Sequence, residues 1–249
     1  MKLKDAPIGT RLVFGTMRDG DIIWRKVSEN QDFFSETECG RKAFDTAEYR
    51  SNSRARRNHG NNFFPQSNIM QWLNSKGENW FHITHPDDNE PTYSCEMGFL
   101  SSFSEAELSA IVNRDISIAV PLGSRKEFGK EYSMSCAVCL PSASEAGFRL
   151  DEGQDDIEGD YLPEITVLRR DASYISMMTR TWTTDAGHIL AYDQWEFIRS
   201  RANRLLGVHP MIRLIDDLEI TDQPDDSGVR YVVQDNSQFI LDFFNILSN

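Results

Sequence analysis

No run of roughly 18 consecutive apolar residues occurs in this 249-residue chain, which excludes an ordinary membrane-spanning helix. The opening Met1-Lys-Leu-Lys-Asp-Ala-Pro-Ile-Gly9 lacks the apolar stretch of a secretory leader. The expectation is therefore cytoplasmic synthesis without a signal peptide, with a virion as the alternative destination. Positive charge is scarce: 26 Lys and Arg face 39 Asp and Glu, for a net charge of −13. That balance disfavours nucleic acid and anionic membrane as partners. None of the five histidines sits in a Gly-x-Ser-x-Gly or His-Glu-x-x-His pattern, so no familiar hydrolase or zinc-protease motif is present. Cysteine is also sparse, at Cys39, Cys95, Cys136 and Cys139. Only Cys136-Ala-Val-Cys139 has ligand-like spacing, and no second pair completes a tetrahedral zinc set. The same segment, through Leu140, reads as a buried strand in which a free thiol behaves as a small hydrophobe. The structural reading outweighs redox or metal chemistry.

What is present is a globular composition, 39% hydrophobic and 26% charged, long enough to bury a core without staples. Arg11–Thr16 and Ile22–Val27 flank Asp19-Gly20, a hairpin signal, and Phe33-Phe34 suggests a third strand. Residues 45–65 are rich in turn formers and read as a long loop. Ser67 or Asn68 caps a short helix whose Ile69, Met70, Trp72 and Leu73 make one apolar face, and Asn74 ends it. Ser104-Glu-Ala-Glu107 and Ser142-Ala-Ser-Glu145 are both capping boxes that predict short helices. Strand-like runs follow at 116–120, 137–140, 165–168, 177–182, 188–192, 208–214 and 231–233. Pro210 belongs at a strand start or edge, since it cannot donate to a ladder.

Charge is concentrated at two places. Asp151, Glu152, Asp155, Asp156, Glu158 and Asp160 form the densest acidic run. Its spacing does not match an EF-hand, so a solvated loop is the reading and calcium the alternative. Arg50, Arg54, Arg56 and Arg57 form a basic island that suits either nucleic acid or pairing with those carboxylates. His82 and His85, near Asp87 and Asp88, are the remaining candidate metal ligands.

Several motifs occur together in a fixed order. They are Gly9-Thr-Arg-Leu-Val-Phe-Gly15 with Ile22-Ile-Trp-Arg-Lys-Val27, then Arg54-Ala-Arg-Arg-Asn-His-Gly-Asn-Asn62, then Ser67-Asn-Ile-Met-Gln-Trp-Leu-Asn74. Gly98-Phe-Leu-Ser101, Leu140-Pro-Ser-Ala-Ser-Glu-Ala-Gly147 and Leu206-Gly-Val-His-Pro-Met-Ile-Arg213 follow. Over residues 8–220 this order resembles an uncharacterised family of bacterial and prophage proteins. That family is similar to C-type-lectin-fold domains, among them formylglycine-generating enzymes and phage receptor-binding proteins. Where the family has Trp-Leu-Arg-(Ser/Thr)-Pro, this chain keeps only Arg180-Thr181; where the family has Gly-Val-Arg-Pro, it has His209 before Pro210.

The resemblance implies an α+β, C-type-lectin-like fold: short helices on a twisted, mostly antiparallel sheet with long ordered loops. One domain would span 1–220, and 221–249 would be an extension with an apolar tail, Phe239–Leu247. Trp24, Trp72, Trp80, His209 and Pro210 are the expected structural residues. Formylglycine-type chemistry needs a cysteine pair late in the domain, and residues 166–249 contain none. The expectation is thus a non-catalytic recognition or structural module of a phage or prophage tail. Its contact face would be Arg180, Trp182, Tyr192, Trp195, Arg199 and Arg201, because arginines and aromatics dominate binding hot spots. The expected partner is a protein or host-surface ligand, with a homo-oligomer or virion neighbour meeting the tail. No cofactor is expected beyond the calcium alternative. The rival reading is an enzyme of the formylglycine-generating superfamily with divergent or metal-dependent chemistry.

Overall fold

The computed structural model describes residues 1–46, 62–83, 88–119, 131–148, 161–171, 176–181, 188–193 and 196–233. The basic island, His85, the acidic run, Trp182, Trp195 and the apolar tail lie outside the described residues. The chain is mixed α+β, mostly sheet with a few short helices, and no described helix is long and apolar enough to cross a membrane.

Fourteen strands are described. β1 (Arg11–Met17) and β2 (Gly20–Lys26) form the amino-terminal hairpin, and β3 (Asp32–Ser35) and β4 (Arg41–Ala43) follow. β5 (Ile111–Val112), β6 (Arg114–Ala119), β7 (Glu131–Cys136) and β8 (Val138–Cys139) occupy the middle of the chain. β9 (Met177–Met178), β10 (His188–Asp193), β11 (Glu196–Arg201), β12 (Leu205–Gly207), β13 (Met211–Leu214) and β14 (Val229–Tyr231) complete it. The main sheet runs β14-β1-β2-β3-β13-β5, with β8 also paired to β13. Among the described residues only the β1–β14 pairing is parallel. The remaining strands form a three-stranded sheet, β11-β10-β9, and two pairs, β12-β4 and β6-β7. β14 joins the main sheet beside β1, so residues 229–231 pair with the amino-terminal hairpin.

Helix α1 (Asn68–Leu73) begins where the Ser67 side chain accepts from the Met70 N–H, and Asn74 caps its end. It buries Ile69, Trp72 and Leu73. Helix α2 (Glu105–Ala110) carries the complete Ser104/Glu107 capping box, a feature that contributes about 1 kcal/mol. Glu107 has a second role, since its other carboxylate oxygen accepts the Gly15 N–H at 2.8 Å. Gly15, at φ +81°, sits in the bulge of β1, and a Cβ there would meet the Phe103 ring at 2.6 Å. Helix α3 (Pro163–Asp171) replaces the strand expected at 165–168. Ser142–Glu145 makes its capping-box hydrogen bonds on a turn, not on the expected helix.

Two aromatic clusters anchor the core. Trp24 is fully buried, donates its indole N–H to the Phe14 carbonyl at 2.7 Å and faces Phe103. Trp72, Trp80, Tyr93 and Phe99 pack together, with the buried Lys42 ammonium 4.3 Å above the Trp72 ring. Gly98 lets the chain pass the end of α1: a Cβ there would lie 2.2 Å from the Ser75 carbonyl oxygen. The two nearest atoms, the Ser75 carbonyl oxygen and carbon, are backbone, so neither yields easily. Gly98→Ala is expected to lower stability by about 1–3 kcal/mol, read as a lower urea midpoint at unchanged slope. An unshifted midpoint would refute the tight crossing.

Candidate functional site

A charge cluster is assembled from five distant segments. Glu145 takes the Arg114 Nη2–H at 2.5 Å on one oxygen and the Arg180 Nη1–H at 2.6 Å on the other. The Ser142 N–H adds a third bond at 2.7 Å. Asp32 receives Arg213 through Nε at 2.9 Å and Nη2 at 3.2 Å, and it meets Arg114 Nε at 3.2 Å. Burial disfavours the Glu145 charge, yet Arg180 and Arg114 outweigh it and hold the carboxyl down at about 2. Arg114 stays charged for the complementary reason: burial opposes its charge, and its acidic neighbours overcome that.

Cys136 and Cys139 are both buried, and Cys139 sits against this cluster. Arg114 stands directly opposite Cys136 in the β6–β7 ladder and donates from Nη1 to Cys139 Sγ at 3.4 Å. The neighbouring Cys136 thiol lowers the Cys139 thiol, burial opposes, and Arg114 and Arg180 lower it further. The neighbouring Cys139 thiol, with burial, raises Cys136.

The cluster fixes the turn at 141–148. Arg180 Nη1 also donates to the Leu140 carbonyl at 2.6 Å, its N–H donates to Pro141, and the Thr181 hydroxyl accepts the Ala143 N–H. The turn closes through Phe148 N–H to the Ala143 carbonyl at 2.8 Å. That bond presents the half-buried Phe148 ring 4.8 Å from Phe197 on β11. Tyr192 lies directly across from Phe197, their rings 5.5 Å apart. Leu190 and His188 lie across from Arg199 and Arg201, so all six residues share one face. On the other face Ile189, Ala191 and Ser200 are buried. Leu190 and Tyr192 are buried as well, so the accessible part is the β11 side: Phe197 half-buried, Arg199 and Arg201 exposed. Neither arginine has an ion-pair partner among the described residues, whereas Arg204 pairs with Asp193 at 2.7 Å.

The structure therefore divides the expected contact residues. Arg199 and Arg201 lie together on an exposed face. Arg180 does not: it is 1% exposed and serves as an internal counter-ion to Glu145. Tyr192, 4% exposed, supports the face from beneath. Trp24, Trp72 and Trp80 are all buried. His209 is buried, stacks on Phe34, and donates from Nδ1 to the Ser35 carbonyl at 3.1 Å. Burial lowers it to about 4, the Ser35 bond opposing only in part. Pro210 stands immediately before β13, where its carbonyl accepts the Ser35 N–H. His82 is exposed, and its backbone N–H donates to Gln71. Among the described residues no three His, Cys, Asp or Glu side chains form a metal-holding group.

Sequence reasoning passed over Glu145 as an electrostatic centre, and with it Arg114 and Asp32. One signal was available for Arg114. It lies in phase with Ile116 and Ile118, the buried side of a strand of period two. Phe148 and the β11 strand left no comparable mark.

Residues 32–204 match a family model described as Domain of unknown function (DUF6273), and the chain belongs to that family. No curated protein and no solved structure matches it.

Proposed function

We propose that this chain is a non-catalytic recognition module of C-type-lectin-like architecture, carried by a phage or prophage virion, whose β11 face grips a protein or host-surface ligand. The observation that carries this reading is the pair of exposed arginines, with no ion-pair partner among the described residues, beside two half-buried aromatic rings in a chain of net charge −13. A planar guanidinium forks onto carboxylate or phosphate, and a neighbouring ring adds contact area at small entropic cost. The buried Glu145 cluster supports the same reading, because it holds the Phe148 turn rigid beneath the face.

The test uses fluorescently labelled chain and a panel of bacterial cells with their isolated envelope proteins. The native chain should bind at least one of these, more weakly at high salt. The double variant Arg199→Ala, Arg201→Ala should bind at least about tenfold more weakly, since each tenfold corresponds to about 1.4 kcal/mol. Equal binding by the two, or binding by neither, overturns the reading.

A further inference from the structure

Given the recognition face proposed above, on which this depends, we infer that the outer side of β11 takes an extended acidic segment of a partner protein as an added antiparallel strand. Arg199 and Arg201 would then read carboxylates at alternate positions of that strand. Among the described residues β11 is the last strand of its sheet, whereas β10 lies between β11 and β9. The bonds of β10 fix which backbone groups of β11 are spare. The Leu190 carbonyl accepts the Thr179 N–H at 3.2 Å and the Thr179 hydroxyl at 2.7 Å. Thr179 directly follows β9, so that carbonyl points away from β11. In an antiparallel ladder the N–H and C=O of one residue point to the same side, and successive residues alternate. Ile189, Ala191 and Asp193 therefore bond to β11, through Ser200, Ile198 and Glu196 opposite them. Arg199 and Arg201 stand across from Leu190 and His188, so their own N–H and C=O are directed outward. The Arg204 N–H takes the Arg201 carbonyl at 3.0 Å. What remains for an incoming strand is the Arg199 N–H, the Arg199 carbonyl and the Arg201 N–H.

These are the same two residues whose side chains are exposed on one face with no ion-pair partner among the described residues. Positions two apart on a strand lie roughly 7 Å apart. An added strand has the same repeat, so acidic residues at alternate positions would each stand beside one guanidinium, on the same face. The residue opposite Arg199 would also exchange both backbone bonds with it. Main-chain bonds supply affinity in this mode of recognition, and alternate side chains supply the choice of partner. A second copy of this chain fits poorly: pairing two β11 edges brings guanidinium against guanidinium, and like charges across a ladder repel. Arginines on an edge can also serve as guards that keep strands away. A guard repels every strand, whereas a reader admits the acidic one.

The experiment measures calorimetric binding of end-blocked peptides to the folded full-length chain. One peptide alternates threonine and glutamate, and a second has the same composition with its glutamates contiguous. Two further copies of the first carry N-methyl groups, on the glutamate nitrogens or on the threonine nitrogens. The alternating peptide should bind more tightly than the contiguous one. Methylated glutamate nitrogens face the edge and should weaken binding by at least about fivefold, the worth of one hydrogen bond. Methylated threonine nitrogens point away and should leave binding as it was. In the protein, Arg199→Pro removes an outward N–H that Arg199→Ala keeps, and neither touches the bonds to β10. The proline variant should therefore bind the alternating peptide about fivefold more weakly than the alanine variant. Equal effects of the two methylations overturn strand addition, and they decide alone where Arg199→Pro does not fold. If none of the peptides binds while Arg199→Ala, Arg201→Ala still abolishes cell binding, strand addition falls and the recognition face stands. Equal cell binding by the native chain and that double variant removes both.

Discussion

Replacing Glu145 with glutamine is expected to lower the unfolding free energy by about 3–5 kcal/mol, the usual cost of removing one partner from a buried ionic network. The change keeps the shape and removes the charge. Arg180, 1% exposed, then loses the Glu145 carboxylate, and Arg114 keeps Asp32 at 3.2 Å. The Ser142 N–H still finds an acceptor in the amide, so the loss reports charge and not turn geometry. Urea unfolding measures it directly. The double variant Glu145→Gln, Arg180→Met should recover part of the loss, because replacing a whole buried pair costs less than breaking it. A single-variant loss below about 1 kcal/mol, the range of exposed pairs, would show that water reaches the cluster.

The folded chain is also expected to lose about 3 kcal/mol as pH falls from 6.5 to 4, through His209 alone. The unfolded side chain takes up its proton near 6.5, and burial holds the folded one to about 4. Between those values the unfolded state binds more protons, so stability is complete above 6.5 and declines as pH falls toward 4. At roughly 1.4 kcal/mol per pH unit the difference amounts to about 3 kcal/mol. The neutral ring is what the site requires: Nδ1–H serves the Ser35 carbonyl, and Nε2 has no acceptor among the described residues for a second proton. Glu145 contributes a separate, more acidic decline. Its stabilisation is present above the ordinary 4.5 and is lost as pH falls through about 2. The two are separable by variant. His209→Gln should flatten the stability profile between 6.5 and 4 and leave the lower limb intact. An unflattened upper limb would assign that decline to another group.

The parts of the fold legible from sequence are those whose cause is local. The Asp19-Gly20 hairpin, the Ser67 cap of α1 and the Ser104/Glu107 box each occupy a few consecutive residues, and each is present. Helix α3 shows the opposite case. Ile165-Thr-Val-Leu168 has the β-branched content of a strand, but Pro163 and Glu164 suit a first helical turn. Tertiary packing then decides: Ile165 and Leu168, three apart, face inward, while Val167 is 40% exposed. Arg180 was misplaced for a related reason. Alternation with aromatics gives an arginine the look of a binding residue, and its true partner lies 35 positions earlier in a turn. Nothing near Arg180 in the sequence records that encounter.

The Asp32–Arg213 pair bears on how the chain reaches its fold. The two residues stand directly opposite each other in the β3–β13 ladder, yet 181 positions separate them. A contact so distant closes late, after nearer pairings have formed. A one-residue slip between these strands turns each side chain to the wrong side, stranding a guanidinium and a carboxylate without their mates. Apolar neighbours tolerate such a slip far better than ions do. The Asp32–Arg213 pair thus acts as a proofreading step that favours β13 in its correct alignment.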